Sequence, residues 1–133
     1  MKTNYKLAVA LVTGAAIGGA VTQSLHAQAK PPIYLVTEIT VTDPDAYRKE
    51  FVPKAQANIK AANVREIALG GFGGAGPQVT AVEGEPPKRA VIQVFDSLEK
   101  MKAFREGADY TAAKKIGDKY ATYRSYAVDG VTH

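Results

Sequence analysis

Ile33–Val41 reads IYLVTEITV, and Thr42-Asp43-Pro44 closes it. Ile33, Leu35, Ile39 and Val41 fall on one face, with Tyr34, Glu38 and Thr40 on the other. This two-residue period predicts a strand with one face buried. Asp43 then offers a capping carboxylate, and Pro44 stands at the first helical position, where a missing N–H costs nothing. Downstream, Tyr47, Phe51, Ala55, Ile59 and Ala62 recur at four-residue steps and predict one apolar helical stripe. Pro53 falls inside that stripe and should kink or restart the helix.

Beyond the helix, Val64–Leu69 reads as a weaker second strand, and Gly70–Pro77 as a glycine-rich loop. Gln78–Val82 has the composition of a short strand, and Glu83–Lys88 of a turn. Arg89–Phe95 alternates clearly, with Ala90, Ile92 and Val94 opposing Val91, Gln93 and Phe95. Asp96 with Glu99 three residues later predicts a capped helix whose inner face is Met101, Phe104 and Ala108. After Gly107 the helical pattern resumes over Asp109–Lys119, and Thr122–Val128 closes the chain as a last strand. Strand, helix, two or three strands, helix, strand is an α+β order. It predicts a ferredoxin-like split β-α-β domain, an antiparallel sheet with two helices on one face.

Upstream, Met1–Lys6 carries two lysines and no acid, Leu7–Val21 is uncharged and apolar, and Ala27-Gln28-Ala29 ends a short polar stretch. Positive, apolar, then A-x-A is the pattern of a secretory signal peptide cleaved after Ala29, so that the mature chain begins at Lys30. A membrane span needs about 20 apolar residues. This run is shorter and carries Gly14, Gly18 and Gly19, so membrane contact is expected only through the uncleaved leader. Without a twin arginine, the expected route is the general secretory one, to the periplasm or the medium. Residues 30–133 then form one domain.

The chain has 17 basic and 13 acidic residues, a net +4, and losing Lys2 and Lys6 with the leader brings it to +2. So small an excess, with its cations scattered, argues against nucleic-acid binding. Lys114, Lys115 and Lys119 are the densest group and read as a solvated helix face. There is no cysteine, so no disulfide frame and no lipid on a cysteine; the core alone must hold the fold.

The only histidines are His26, in the leader, and His133 at the terminus. The domain interior therefore lacks the usual general base near neutral pH, and Ser-His or Cys-His nucleophile pairs cannot be assembled. Zinc sites lose their preferred ligands as well. Asp43/Asp45 and Glu83/Glu85 sit at turns where acids are ordinary, so neither a metal nor any cofactor is expected. Gly71-Phe72-Gly73-Gly74-Ala75-Gly76 matches G-x-G-x-x-G. A dinucleotide cradle needs a helix after it, whereas Pro77 and a β-rich stretch follow here. The segment reads as a flexible loop, expected as a mobile rim over a pocket.

Tyr34, Asp43-Pro44 with Tyr47, Pro87 before Arg89, Phe95 with Ser97 and Glu99, Asp109-Tyr110 and Val128-Asp129-Gly130-Val131 carry a resemblance. In their order and spacing over Pro32–Val131, the chain resembles the bacterial domain of unknown function 1330 family, whose members are similar to the dimeric α/β-barrel superfamily. The resemblance implies a homodimer in which two sheets close into a barrel, with ligands between sheet and helices, and no established activity. Haem chemistry in that superfamily depends on histidine and is not expected here. Two positions depart from the pattern: Asn63-Val64-Arg65 replaces Gly-Gly-Arg, and Gly117 replaces an arginine before Asp118.

Two functions follow. The first is a non-catalytic exported dimer holding a small, partly apolar molecule in each protomer. The second is a cofactor-independent periplasmic enzyme of proton-transfer or oxygenation type. There Glu38 or a tyrosine would act on the substrate, with Arg89 as a forked anion clamp. Glu38 reads otherwise as an exposed strand residue, and Arg89 as half of a rim ion pair. Tyr47 and Tyr110 are expected as core aromatics whose hydroxyls reach a pocket or the surface.

Overall fold

In the computed structural model, residues 30–132 are described; the expected leader, residues 1–29, lies outside them. Strand β1 is Ile33–Val41. Asp43 accepts a hydrogen bond from the Ala46 N–H at 3.1 Å and opens α1, Pro44–Ala46. A π-helical segment, Tyr47–Phe51, connects it to α2, Val52–Ala61. Pro53 explains the wide turn. It lacks the N–H that would reach the Lys49 carbonyl, and its ring would clash there. The Val52 N–H goes instead to the Tyr47 carbonyl, five residues back.

The chain leaves α2 through Asn63, whose φ of 51° is left-handed. The Val64 N–H returns to the Ile59 carbonyl at 3.0 Å, and the Asn63 N–H to Lys60. Glycine usually holds this position, and asparagine is the next best tolerated there. Asn63 thus meets the left-handed position without the glycine that the resemblance led one to expect.

Strand β2, Arg65–Gly70, pairs with β3, Arg89–Phe95, and the register shifts once, between Glu66 and Ala68. Helix α3 is Leu98–Glu106, α4 is Ala108–Gly117 and strand β4 is Ala121–Asp129. All pairings are antiparallel, in the order β2-β3-β1-β4. With helices between β1 and β2 and between β3 and β4, this is the ferredoxin-like arrangement.

Three local expectations are corrected. Gln78–Val82 forms no strand. The Gln78 amide turns back to the Gly76 carbonyl at 2.7 Å, and Val82 is fully exposed with nothing to bury against. The cap of α3 is Ser97, not Asp96. Ser97 is extended and its hydroxyl accepts from the Lys100 N–H at 3.2 Å, while Asp96 pairs with the Lys100 ammonium. Ala108 is exposed, because the chain breaks at Gly107 and Ala108 starts a new helix.

Directly paired residues share a sheet face. Ile33, Leu35, Thr37 and Ile39 therefore face the helices together with Phe95, Gln93, Val91 and Arg89 of β3. Among the described residues no helix packs on the opposite face. There Tyr34, Val36, Glu38 and Thr40 stand beside Val128, Tyr126, Arg124 and Thr122 of β4. The buried core is split into two clusters. Ile33, Leu35, Phe95 and Met101 form one, and Ile39, Tyr47 and Ala121 the other.

Candidate functional site

The two clusters are separated on β1 by Thr37, the one polar residue in the helix-facing row Ile33, Leu35, Thr37, Ile39. A cleft of about 360 Å³ opens over it, between sheet and helices. Its floor includes Leu35, Thr37, Ile39 and Val91. Thr37 Oγ1 lies 3.1 Å from Ser125 Oγ, so the hydroxyl is satisfied across the strands. The Gln93 amide donates to Glu66 Oε2 at 3.3 Å in the same floor.

Aromatic rings make the walls. Tyr47, 2% exposed, stacks on Phe51 with ring centroids 4.9 Å apart, and Phe51 meets Tyr123 edge-on at 6.2 Å. At the other end Phe104 lies 5.2 Å from Tyr110 and 5.7 Å from Phe95. The π segment and α2 carry the first wall, and α3 with α4 the second. They are tied where the Asn58 amide donates to the Asp109 carbonyl at 2.8 Å.

Arg89 begins β3 on the helix-facing side. Its guanidinium carbon sits 5.5 Å from the Tyr47 ring centre and 5.3 Å from that of Phe72. No carboxylate of the described residues lies within the 4.0 Å of an ion pair with it. The ion pairs among those residues are Lys100–Asp96, Lys114–Asp118 and Arg124–Glu38. Phe72 comes from the glycine-rich loop. That loop needs Gly71: its φ is +81°, and a Cβ there would lie 1.9 Å from the Lys88 carbonyl oxygen.

The phenols of this cleft are held neutral. Burial raises the Tyr47 pKa above its ordinary value, only partly offset by its Tyr123 neighbour and by Arg89. Burial raises Tyr110 in the same way. Tyr123 is pushed highest, by burial first and then by Tyr47. Its hydroxyl is buried without a hydrogen-bond partner among the described residues. Gly117 makes the room for it, since a Cβ there would stand 2.4 Å from the Tyr123 oxygen and 2.8 Å from the Phe51 ring. These side chains are therefore hydrogen-bond donors near neutral pH, and poor bases.

The structure thus brings Arg89, Tyr47 and Tyr110 to one cleft, with Arg89 directly against Tyr47. It places Glu38 on the other face of the sheet. There Arg124 grips both carboxylate oxygens, at 2.7 and 2.9 Å, and Tyr126 approaches at 3.4 Å. The Arg124 hydrogen bonds hold the Glu38 carboxyl below its usual range. Sequence reasoning passed over Thr37, Phe72 and Tyr123. The signal for Thr37 was there, as the gap in an otherwise apolar row.

No functionally curated protein matches the chain. Solved structures share its fold at low identity. A protein of unknown function from Rhodopseudomonas palustris is 9% identical with a TM-score of 0.57, covering 86% of this chain and 94% of its own. SnoaB, a cofactor-independent oxygenase from Streptomyces nogalater, is 10% identical with a TM-score of 0.51, over 77% and 96%. A conserved protein of unknown function and possible oxidoreductase from Bacteroides thetaiotaomicron is 11% identical with a TM-score of 0.51, over 76% and 99%. These likenesses concern the fold alone. The family is shown directly, because the model of Domain of unknown function (DUF1330) matches residues 32–131, and the chain belongs to that family.

Proposed function

We propose that this protein is an exported homodimer that binds one small, partly apolar molecule in the sheet–helix cleft of each protomer. The observation that carries the reading is the cleft itself. It divides the core in two and is walled by aromatic rings, where a domain with no binding role would close its core. Export through the general secretory route to the periplasm or medium rests on the leader ending at Ala27-Gln28-Ala29. Dimerisation rests on the helix-free sheet face, where Tyr126 and Val128 remain exposed beside Val36.

A second reading, a cofactor-independent enzyme, is favoured by one observation: Arg89 and the neutral phenols of Tyr47, Tyr110 and Tyr123 line the same cleft. A neutral phenol can stabilise a developing oxyanion as a donor. Glu38 takes no part in that version, since it faces the other way.

Native mass spectrometry of the protein released gently from its host's periplasm tests the proposal. The expected species is a dimer beginning at Lys30 with the added mass of a small molecule. A bare monomer that retains residues 1–29 would overturn export, dimer and ligand together.

A further inference from the structure

The cleft's charges are lopsided. Arg48, Arg89, Arg105 and Lys114 line it against a single acid, Glu66, which the Gln93 amide already engages. Lys114 pairs with Asp118 and Arg48 is exposed to solvent, while Arg105, half-buried and also without a carboxylate among the described residues, lies over the single Tyr110 ring at the other end of the cleft. Arg89 is clasped on two sides. It is half-buried, held between two aromatic faces, and meets no carboxylate of the described residues. Cation–π contact fixes such a guanidinium without neutralising it.

A partly desolvated cation at an aromatic cleft is matched by an anion of one charge. Its planar fork fits a carboxylate with two parallel hydrogen bonds, whereas a doubly charged phosphate would call for a second free cation beside it. The Tyr123 hydroxyl is sealed against Gly117, beyond a ligand's reach, so the polar anchor at this end is Arg89 alone. The walls between are rings, and about 360 Å³ is at the small end of ligand cavities, which run from about 300 to 1,000 Å³.

Resting on the small-molecule reading above, we infer that the ligand is a flat aromatic monocarboxylate of one or two rings. Its carboxylate lies on the Arg89 fork between Tyr47 and Phe72, and its ring lies among the wall aromatics. Specificity for acid over neutral analogue therefore resides in Arg89.

Titration calorimetry with 2-naphthoate and the neutral 2-naphthalenemethanol tests this on the intact protein and on Arg89→Met and Arg89→Lys. The intact protein should bind the carboxylate about tenfold or more tightly than the alcohol, the worth of one charge-assisted forked pair. Arg89→Met should abolish that preference, so that the carboxylate binds no more tightly than the alcohol. Arg89→Lys, a charge without the fork, should keep only part of it. Equal binding of the two probes by the intact protein would overturn the anion anchor and leave the small-molecule cleft standing. A preference that survives Arg89→Met would overturn Arg89 as its source. Binding of neither probe would overturn the aromatic monocarboxylate, and a retained small-molecule mass in the native spectrum would then keep the cleft reading without it.

Discussion

The two faces of β1 are built from neighbouring residues and have opposite problems. The helix-facing row Ile33, Leu35, Thr37, Ile39 is apolar with one hydroxyl in it. The open row Tyr34, Val36, Glu38, Thr40 is mixed, with one ion pair at Glu38. Each face shows its exception at the same point along the strand. On the covered face the exception leaves space, and the cleft lies above it. On the open face it fills space with charge, fixed by Arg124. In the proposed reading the covered face receives a molecule, and the open face holds a register as a sheet meeting another surface would require.

The largest test of that contrast is Tyr47, the most deeply buried large side chain and a wall of the cleft. Tyr47→Ala should cost about 3 kcal/mol, through lost burial and the cavity left behind. Tyr47→Phe, which keeps the ring on Phe51 and Arg89, should cost under about 1 kcal/mol. Urea unfolding measures both. A small loss in the alanine variant would mean the covered face is not packed around this ring.

Gly117 comes next. Its absent side chain admits the Tyr123 hydroxyl and the Phe51 edge. Gly117→Ala should destabilise by about 1–3 kcal/mol, because neither ring has room to retreat. Thermal unfolding reads this. A neutral result would show that Tyr123 can leave its buried position.

Much of this contrast was readable beforehand, and the rest was not, for physical reasons. The alternation of Ile33–Val41 and Arg89–Phe95 is a local property, so both strands emerge where their periods place them. Arg89, Tyr47 and Tyr110 were legible as candidates because their types carry chemistry. Which face each side chain joins depends on pairing register, a long-range property. Glu38 was therefore ambiguous until β4 placed Arg124 opposite it. Gln78–Val82 has strand-like residues and no strand, because composition cannot say whether a neighbouring edge will be used. Gly117 read only as a missing arginine, whereas its smallness is what the Tyr123 and Phe51 rings require.

Where the helix layer returns the chain to the sheet, Asn63 tests the join between the two faces. Its left-handed backbone should make Asn63→Ala cost about 1 kcal/mol, while Asn63→Gly should show no loss. Equal losses in both variants would mean that the asparagine side chain, not its backbone, closes the helix.

The smallest effect is expected on the open face, from Glu38. Its folded pKa lies below the ordinary value of 4.5, chiefly through hydrogen bonds from Arg124. A carboxyl shifted in that direction contributes its stability fully above the unfolded pKa. The contribution fades as pH falls below about 4.5 and through the lower folded value. Glu38→Gln should therefore cost a small amount of stability near neutrality, the two profiles converging as pH falls through the acid limb. Comparing unfolding free energies of the two proteins from pH 7 down into that range measures it. Because the pair is solvent-accessible on the Arg124 side, raised salt should shrink the difference further. If the open face is covered by a second copy, dilution below the dimer's dissociation range should make the difference more salt-sensitive, since the pair then faces water. A difference that ignores dilution would separate Glu38 from assembly and leave it a register pair within one sheet.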